Sequence, residues 1–248
     1  MSSSIWPLWT ETLPDPLPAN PLELAAEWLA QARIDAAQPN PNSMVLATVD
    51  RSGQPSARVV LCKDIDSRLG HILFYTNYRS RKGRDLEANP RAAVVFHWDQ
   101  RHRQVRAEGR VEPLADAEND AYFQSRPWQS RIGAWASRQS EPVASRAALG
   151  EHVAEAAHRF GIDYGGPGSP EPQSVPVQIP RPDYWGGYRL IVAALELWVE
   201  GEFRIHERAR WTRTSGATGR DVPAAGAPAA GSAVAGSPPA WTVTRLQP

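Results

Sequence analysis

The sequence predicts a mainly β fold with helices, of the α+β class, built as a small antiparallel barrel. Three observations predict it. Apolar strand-like runs come in pairs around turn residues: Met44 to Val49 and Ser56 to Lys63 flank Asp50-Arg51-Ser52-Gly53, and Ala92 to Trp98 and Gln104 to Val111 flank Asp99 to His102. Short turns of that kind imply an antiparallel meander. So many strands must close or cover their edges to avoid exposing unpaired backbone groups, which favours a barrel over an open sheet. The period then turns helical over Ala115 to Phe160, where helices are expected.

Composition bounds the function. At 248 residues the chain suffices for one sizeable domain or two small ones. Lys+Arg and Asp+Glu both number 27, so no whole-protein field favours nucleic acid or an anionic membrane, and local clusters must carry any anion binding. The single cysteine, Cys62, excludes an intramolecular disulfide framework and sits in an apolar run as a small buried hydrophobe. The N-terminus lacks a basic segment followed by an apolar core, and no run approaches about 18 to 20 apolar residues. A soluble, cytoplasmic protein is expected. The six histidines show no metal-ligand spacing, so no metal is expected.

Residues 1–19 read as an irregular N-terminal segment and 20–248 as one domain. Asn20 is a natural N-cap, Pro21 suits the first helical position, and Glu23 is placed for a capping box. Leu22, Ala25, Trp28, Leu29 and Ala32 recur at helical spacing until Pro39. Arg58 to Lys63 and His71 to Thr76 form a hairpin, and Ser80 caps a short helix running to Glu87. Further helices are expected over Asp116 to Ser125, Ser130 to Ser137 and Ser145 to Phe160, the last burying Ala148, Leu149, Val153 and Ala156. Gly161 to Pro182 reads as an extended loop. Arg189 to Val199 and Phe203 to Thr212 form a hairpin, Trp241 to Leu246 pairs with its second strand, and 215–239 is a low-complexity insertion expected to be disordered.

Three constellations carry chemistry. Arg58, Arg81 and Lys82 converge with hydroxyls and helix N–H groups at one strand end, a way to hold a phosphate dianion, although a solvated basic face has the same composition. Tyr122, Arg126 and Ser130 recur at four-residue intervals, and Pro127 places them at a helix junction rather than on one helix. Such a set suits a phosphate monoester; the plain alternative is a surface arginine with two unrelated hydroxyls. On the strand Phe203 to Thr212, Arg204, His206 and Arg208 share one face, facing either an anionic or electron-rich partner or solvent.

In order along the chain, RVVLCK, FYTNYRSRKG, RQVRAEG, YFQSRPWQSRIGAWASRQS, YWGGYRL, ELWVEGEFRIHER and TRLQP resemble the pyridoxamine/pyridoxine 5′-phosphate oxidases. The likeness runs from about Pro16 to the C-terminus. It implies an FMN-binding split β-barrel of Greek-key type with peripheral helices, a homodimer with two active sites at the subunit interface, and oxidation of phosphorylated B6 vitamers by O2. Arg58, Val59, Val60, Leu61, Cys62, Lys63, Tyr75, Thr76, Arg81 and Lys82 match the family's FMN-contacting strings, and Gln104, Gln139, Ser140, Trp198 and Arg208 its remaining FMN contacts. Lys63, Tyr122, Arg126 and Ser130 match its substrate-phosphate cradle, and Arg204, Ile205 and His206 the segment against the pyridine ring, with Arg204 and His206 the implied catalytic pair. The family's N-terminal lid is basic and contains tyrosine, whereas this chain has Trp6 to Pro14 there, so no lid residues are carried over. Two rivals are another flavin oxidase or reductase on the same barrel, such as one of phenazine biosynthesis, and a non-catalytic FMN- or pyridoxal-phosphate-binding protein. A nucleic-acid module is disfavoured, since the Arg-rich turns lack a reading helix or stacking platform.

Overall fold

The computed structural model describes residues 11–35, 37–163, 178–214 and 240–248. The expectations for 1–10, for 215–239 and for the greater part of the Gly161 to Pro182 loop lie outside the described residues. Six antiparallel strands close a barrel: β1 (Ser43–Val49), β2 (Pro55–Asp66), β3 (His71–Asn77), β4 (Arg91–Trp98), β5 (Arg103–Pro113) and β6 (Trp185–Val199). Their spatial order is β3-β2-β1-β4-β5-β6, and pairing of β3 with β6 completes the ring. Strands β1 to β3 follow one another by hairpins and β4 returns beside β1, which is a Greek key rather than the simple meander that the short turns suggest. The return passes through helix α2 (Arg81–Ala88), so the site-bearing helix is the crossover itself.

Strand β6 is long enough to serve two partners on one edge. Residues 185–191 pair with β3 and 194–199 with β7 (Glu207–Arg213), while β5 runs along its other edge. Strand β8 (Trp241–Leu246) pairs with β7 as expected. Opposite Glu108/Gly109 a bulge skips Ala193 of β6, and this irregularity falls where β6 changes partner. A Cβ on Gly109 would stand 1.9 Å from the Ile191 carbonyl oxygen, so only glycine allows that approach. Alternate side chains fill the barrel, among them Met44, Leu46, Ile72, Phe74, Val94, Phe96, Leu195 and Leu197.

Helix α1 (Pro21–Asp35) buries Leu22, Ala25, Trp28, Leu29 and Ala32, the stripe its sequence spacing predicts. Burying a side chain such as Leu22 or Leu29 contributes about 1.5–3 kcal/mol. Asn20 Oδ1 accepts from the Leu22 N–H at 3.2 Å, but Glu23 takes the Asn20 side-chain amide rather than the backbone N–H of a capping box. Residues 11–19 contain no helix or strand, yet they are packed: Leu13 is buried and its N–H donates to Glu207 Oε2 at 2.8 Å. Helices α3 (Asp116–Ser125), α4 (Trp128–Ala136) and α5 (Arg146–Arg159) form a second core with Phe123, Ile132, Ala157, Ile179 and Trp185.

Two further sequence expectations fail. Helix α5 buries Ala156 and Ala157 and leaves Leu149 exposed, so only its C-terminal turns dock. The hairpin partner of β6 begins at Glu207, not at Phe203: Glu202–Arg204 is a 3-10 turn in which Phe203 and Arg204 take left-handed backbone, at φ 53° and 69°. Arg204 and His206 therefore do not share a strand face with Arg208. Among the described residues no helix is long and apolar enough to cross a membrane.

Candidate active site

A cleft of about 810 Å³ opens between β2, β3, α2 and the α3–α4 junction. At one end Ser80 caps α2, accepting from the Gly83 N–H at 3.3 Å, as its sequence position predicts. A Cβ on Gly83 would fall 1.9 Å from the Tyr78 carbonyl oxygen, so glycine lets the turn after β3 press against the helix start. Lys82, in the first turn, is buried and its Nζ donates to Thr76 Oγ1 at 3.0 Å, Ser80 Oγ at 3.2 Å and Gln139 Oε1 at 2.7 Å. Burial, with the neighbouring Arg58 charge, brings its pKa down to about 8. Arg81 is exposed beside it, and its backbone N–H donates to Ser140 Oγ at 3.1 Å.

Arg58 is held from below. Its guanidinium donates to the Leu46 carbonyl at 3.1 Å, Thr48 Oγ1 at 2.7 Å and Ser56 Oγ at 2.7 Å, and lies 3.7 Å from Asp85. Asp85 is buried and accepts from Thr48 Oγ1 at 2.6 Å. Sequence reasoning missed Asp85 and Thr48. The available signal was a lone acid one helical turn after Arg81, inside an otherwise basic helix start. Next to these cations Val59 and Leu61 are 65% and 39% exposed and line the cleft, with Val60, as an apolar ledge for a flat ring.

The other end is aromatic. Tyr75 stacks on Tyr122 with centroids 3.9 Å apart and on Trp185 at 5.3 Å. Burial, then Tyr122, raise the Tyr75 phenol to about 12, so it stays a donor at neutral pH. Arg126 is the C-cap of α3, and the break before α4 is where Pro127 predicts it. Its guanidinium stands 4.5 Å from the Trp185 ring centre, and its Nη1 is buried with no hydrogen-bond partner among the described residues. Burial lowers its pKa, the expected response of a cation lacking a counterion. Lys63 lies 5.6 Å from the Tyr122 ring centre, and Lys63, Ser130, Gln139 and Ser140 also line the cleft.

These groups fit two anionic phosphates and a planar ring. One end offers a helix N-terminus with Arg58, Arg81 and Lys82; the other offers a buried, unpartnered guanidinium nitrogen. Several implied site residues stand elsewhere. The Cys62 side chain is fully buried behind the ledge, its thiol 3.3 Å from the Asp64 carbonyl and raised by burial to about 12. Gln104, Trp198 and Arg208 are neighbours across β5, β6 and β7, and Arg204, Ile205 and His206 lie in the connection just beyond; none of the six lines the cleft. Among the described residues no group of three or more His, Cys, Asp or Glu could hold a metal.

Fold and cleft together define a split barrel with a cationic and aromatic cleft. Residues 30–160 match the family model described as pyridoxamine 5′-phosphate oxidase, and 185–248 that of the pyridoxine 5′-phosphate oxidase C-terminal dimerisation region. The chain is 50% identical over 199 residues to a pyridoxine/pyridoxamine 5′-phosphate oxidase of Bordetella petrii, covering 80% of this chain and 86% of that one. A protein of the same name from Rhodopseudomonas palustris is 43% identical over 230 residues, 92% of this chain and 90% of that one. Among solved structures, PhzG of Burkholderia lata in complex with tetrahydrophenazine-1-carboxylic acid is 28% identical, with a TM-score of 0.74, covering 97% of this chain and 99% of that one. The chain belongs to the pyridoxamine 5′-phosphate oxidase family.

Proposed function

We propose that the protein binds FMN and oxidises pyridoxamine 5′-phosphate or pyridoxine 5′-phosphate to pyridoxal 5′-phosphate, with O2 as final acceptor. The observation that carries this reading is one cleft with two separate anion positions, the α2 N-terminus and Arg126, bordered by an apolar ledge and stacked aromatics. FMN, when bound, would supply the redox chemistry by which the substrate's amine- or alcohol-bearing carbon is oxidised by two electrons and O2 is reduced to H2O2. The amine substrate then also releases ammonia through hydrolysis of its imine.

The residues of the chain supply placement. Arg58, Arg81 and Lys82 bind the cofactor phosphate by charge-assisted hydrogen bonds, with the α2 N–H groups behind them. Val59 to Leu61 carry the flavin ring, and Arg126 with Lys63, Tyr122 and Ser130 holds the substrate phosphate. Gln104, Trp198, Arg204, Ile205, His206 and Arg208 serve the cleft of a second subunit in a two-fold dimer. Support comes from their clustering on β5 to β7, outside their own cleft, and from the likeness of 185–248 to a dimerisation region. Arg204 orients the reacting carbon and stabilises developing charge, and His206 assists by hydrogen bonding.

Anaerobic mixing of the FMN-loaded protein with pyridoxamine 5′-phosphate tests this. Bleaching of the flavin, recovered in air with one H2O2 per pyridoxal 5′-phosphate, is the expected outcome; an unbleached flavin overturns it. The likeness to PhzG favours a second reading, a phenazine-type substrate, in which a non-phosphorylated tricyclic acid bleaches the flavin instead.

A further inference from the structure

The connection from β6 to β7, residues 200–206, is fixed at its base. The Glu200 N–H donates to the His102 carbonyl at 2.8 Å, and Glu200 Oε2 lies 2.5 Å from His102 Nδ1. His102 can meet Glu200 twice because it ends the Asp99–Arg101 turn in left-handed backbone, at φ 52°. The next residue, Gly201, donates its N–H to His206 Nδ1 at 3.2 Å, and the His206 ring lies against Trp198 with centroids 4.7 Å apart. Beyond these anchors the backbone is strained, since Phe203 and Arg204 are both left-handed and neither is glycine. The Phe203 side chain is 83% exposed, so its burial does little to hold that conformation. Such a loop keeps its shape only where its surroundings impose it.

We propose that His102 and Glu200 are positioning residues for His206, and that the loop they hold presents His206 as a fixed hydrogen-bond donor through Nε2. A backbone N–H can only donate, so Nδ1 is the acceptor of the Gly201 bond, and the neutral imidazole carries its proton on Nε2. With Nδ1 engaged and the ring face on Trp198, Nε2 is the nitrogen left to meet a ligand. It gives a proton-bearing contact to an acceptor oxygen on the substrate ring and does not remove a proton from the reacting carbon. The inference rests on the reading above only in naming what Nε2 meets.

Two measurements test it. Long-range ¹H–¹⁵N correlation of the imidazoles, with His206 assigned by its loss in His206→Gln, is expected to show Nε2 protonated and Nδ1 bare. A His206 protonated at Nδ1 overturns the proposal. That result needs no turnover, so it stands or falls independently of the substrate. Glu200→Ala is expected to slow flavin reduction at saturating substrate on the order of 10-fold, with FMN affinity and KM near wild type. Glu200→Gln, whose amide can meet either nitrogen state of His102, is expected to restore most of the rate. A wild-type rate in Glu200→Ala, loss of FMN affinity in proportion to rate, or absence of rescue by Gln overturns the positioning role.

Discussion

The two ends of the cleft are cationic in opposite ways. At the α2 end the charges are already engaged: Lys82 donates to three neutral oxygens, and Arg58 is tied to Leu46, Thr48, Ser56 and Asp85. At the Arg126 end the guanidinium is positioned by stacking on Trp185 and leaves Nη1 buried without a partner among the described residues. An internally bonded site keeps its shape whether or not an anion is present, and suits a resident group. A stacked, unbonded cation strongly favours an incoming anion, because an unsatisfied buried donor costs about 1–3 kcal/mol until it is met. On the proposed function, the difference separates a site for a retained cofactor phosphate from one for an exchanging substrate phosphate.

Removing charge at the retained end tests that contrast with the largest expected effect. Arg81→Ala with Lys82→Ala is expected to weaken FMN on the order of 10²- to 10⁴-fold, at about 1.5–3 kcal/mol for each charge-assisted contact. Riboflavin, which has no phosphate, should change little in the same fluorescence titration. Equal losses for the two flavins would show that these cations do not face the cofactor phosphate.

At the exchanging end, Arg126→Ala is expected to raise KM for pyridoxamine 5′-phosphate on the order of 10- to 10²-fold. The reduction rate at saturation should fall less, because a remote handle is used alike in ground and transition states. A rate loss with unchanged KM in stopped-flow reduction would move Arg126 from binding to chemistry.

The smallest effect is in pH. Lys82 titrates near 8 in the folded flavin-free protein and near 10.5 unfolded. Between those values the unfolded chain binds the extra proton, so stability of the flavin-free protein rises with pH across that window. FMN affinity should move the other way, falling up to roughly tenfold per pH unit above 8 as binding comes to require proton uptake by Lys82. Lys82→Met should flatten both profiles; a wild-type FMN affinity flat from pH 7 to 9.5 would show that Lys82 does not sense the phosphate.

The retained end was more legible in the sequence than the residues around it. Ser80, Arg81 and Lys82 sit on a local signal, an N-cap after a strand, and the strand and helix formed where those signals placed them. The Arg58 tether was not legible, because Thr48 and Asp85 meet it only through the barrel's register and the α2 crossover. The β6–β7 connection misled for a specific reason: Arg204, His206 and Arg208 alternate like a strand, but pairing ends at Val199 with Glu207, and the backbone turns left-handed at Phe203. In α5 the helical period was correct, while the depth of docking depended on α4, which periodicity does not encode. The resemblance brought Gln104, Trp198 and Arg208 together with the cleft residues, yet a single subunit keeps the two groups apart.

Because β6 is the strand that joins β3 to β5, closure depends on the last quarter of the chain. A nascent chain that has emerged only as far as the residues before Trp185 can form β1 to β5, but β3 and β5 are then open edges with unpaired N–H and C=O groups. Such edges are templates for pairing with other chains during synthesis. Premature termination between β5 and β6 therefore yields a sticky half-sheet instead of a smaller barrel, and such truncated products should need chaperones or proteolysis to stay out of aggregates.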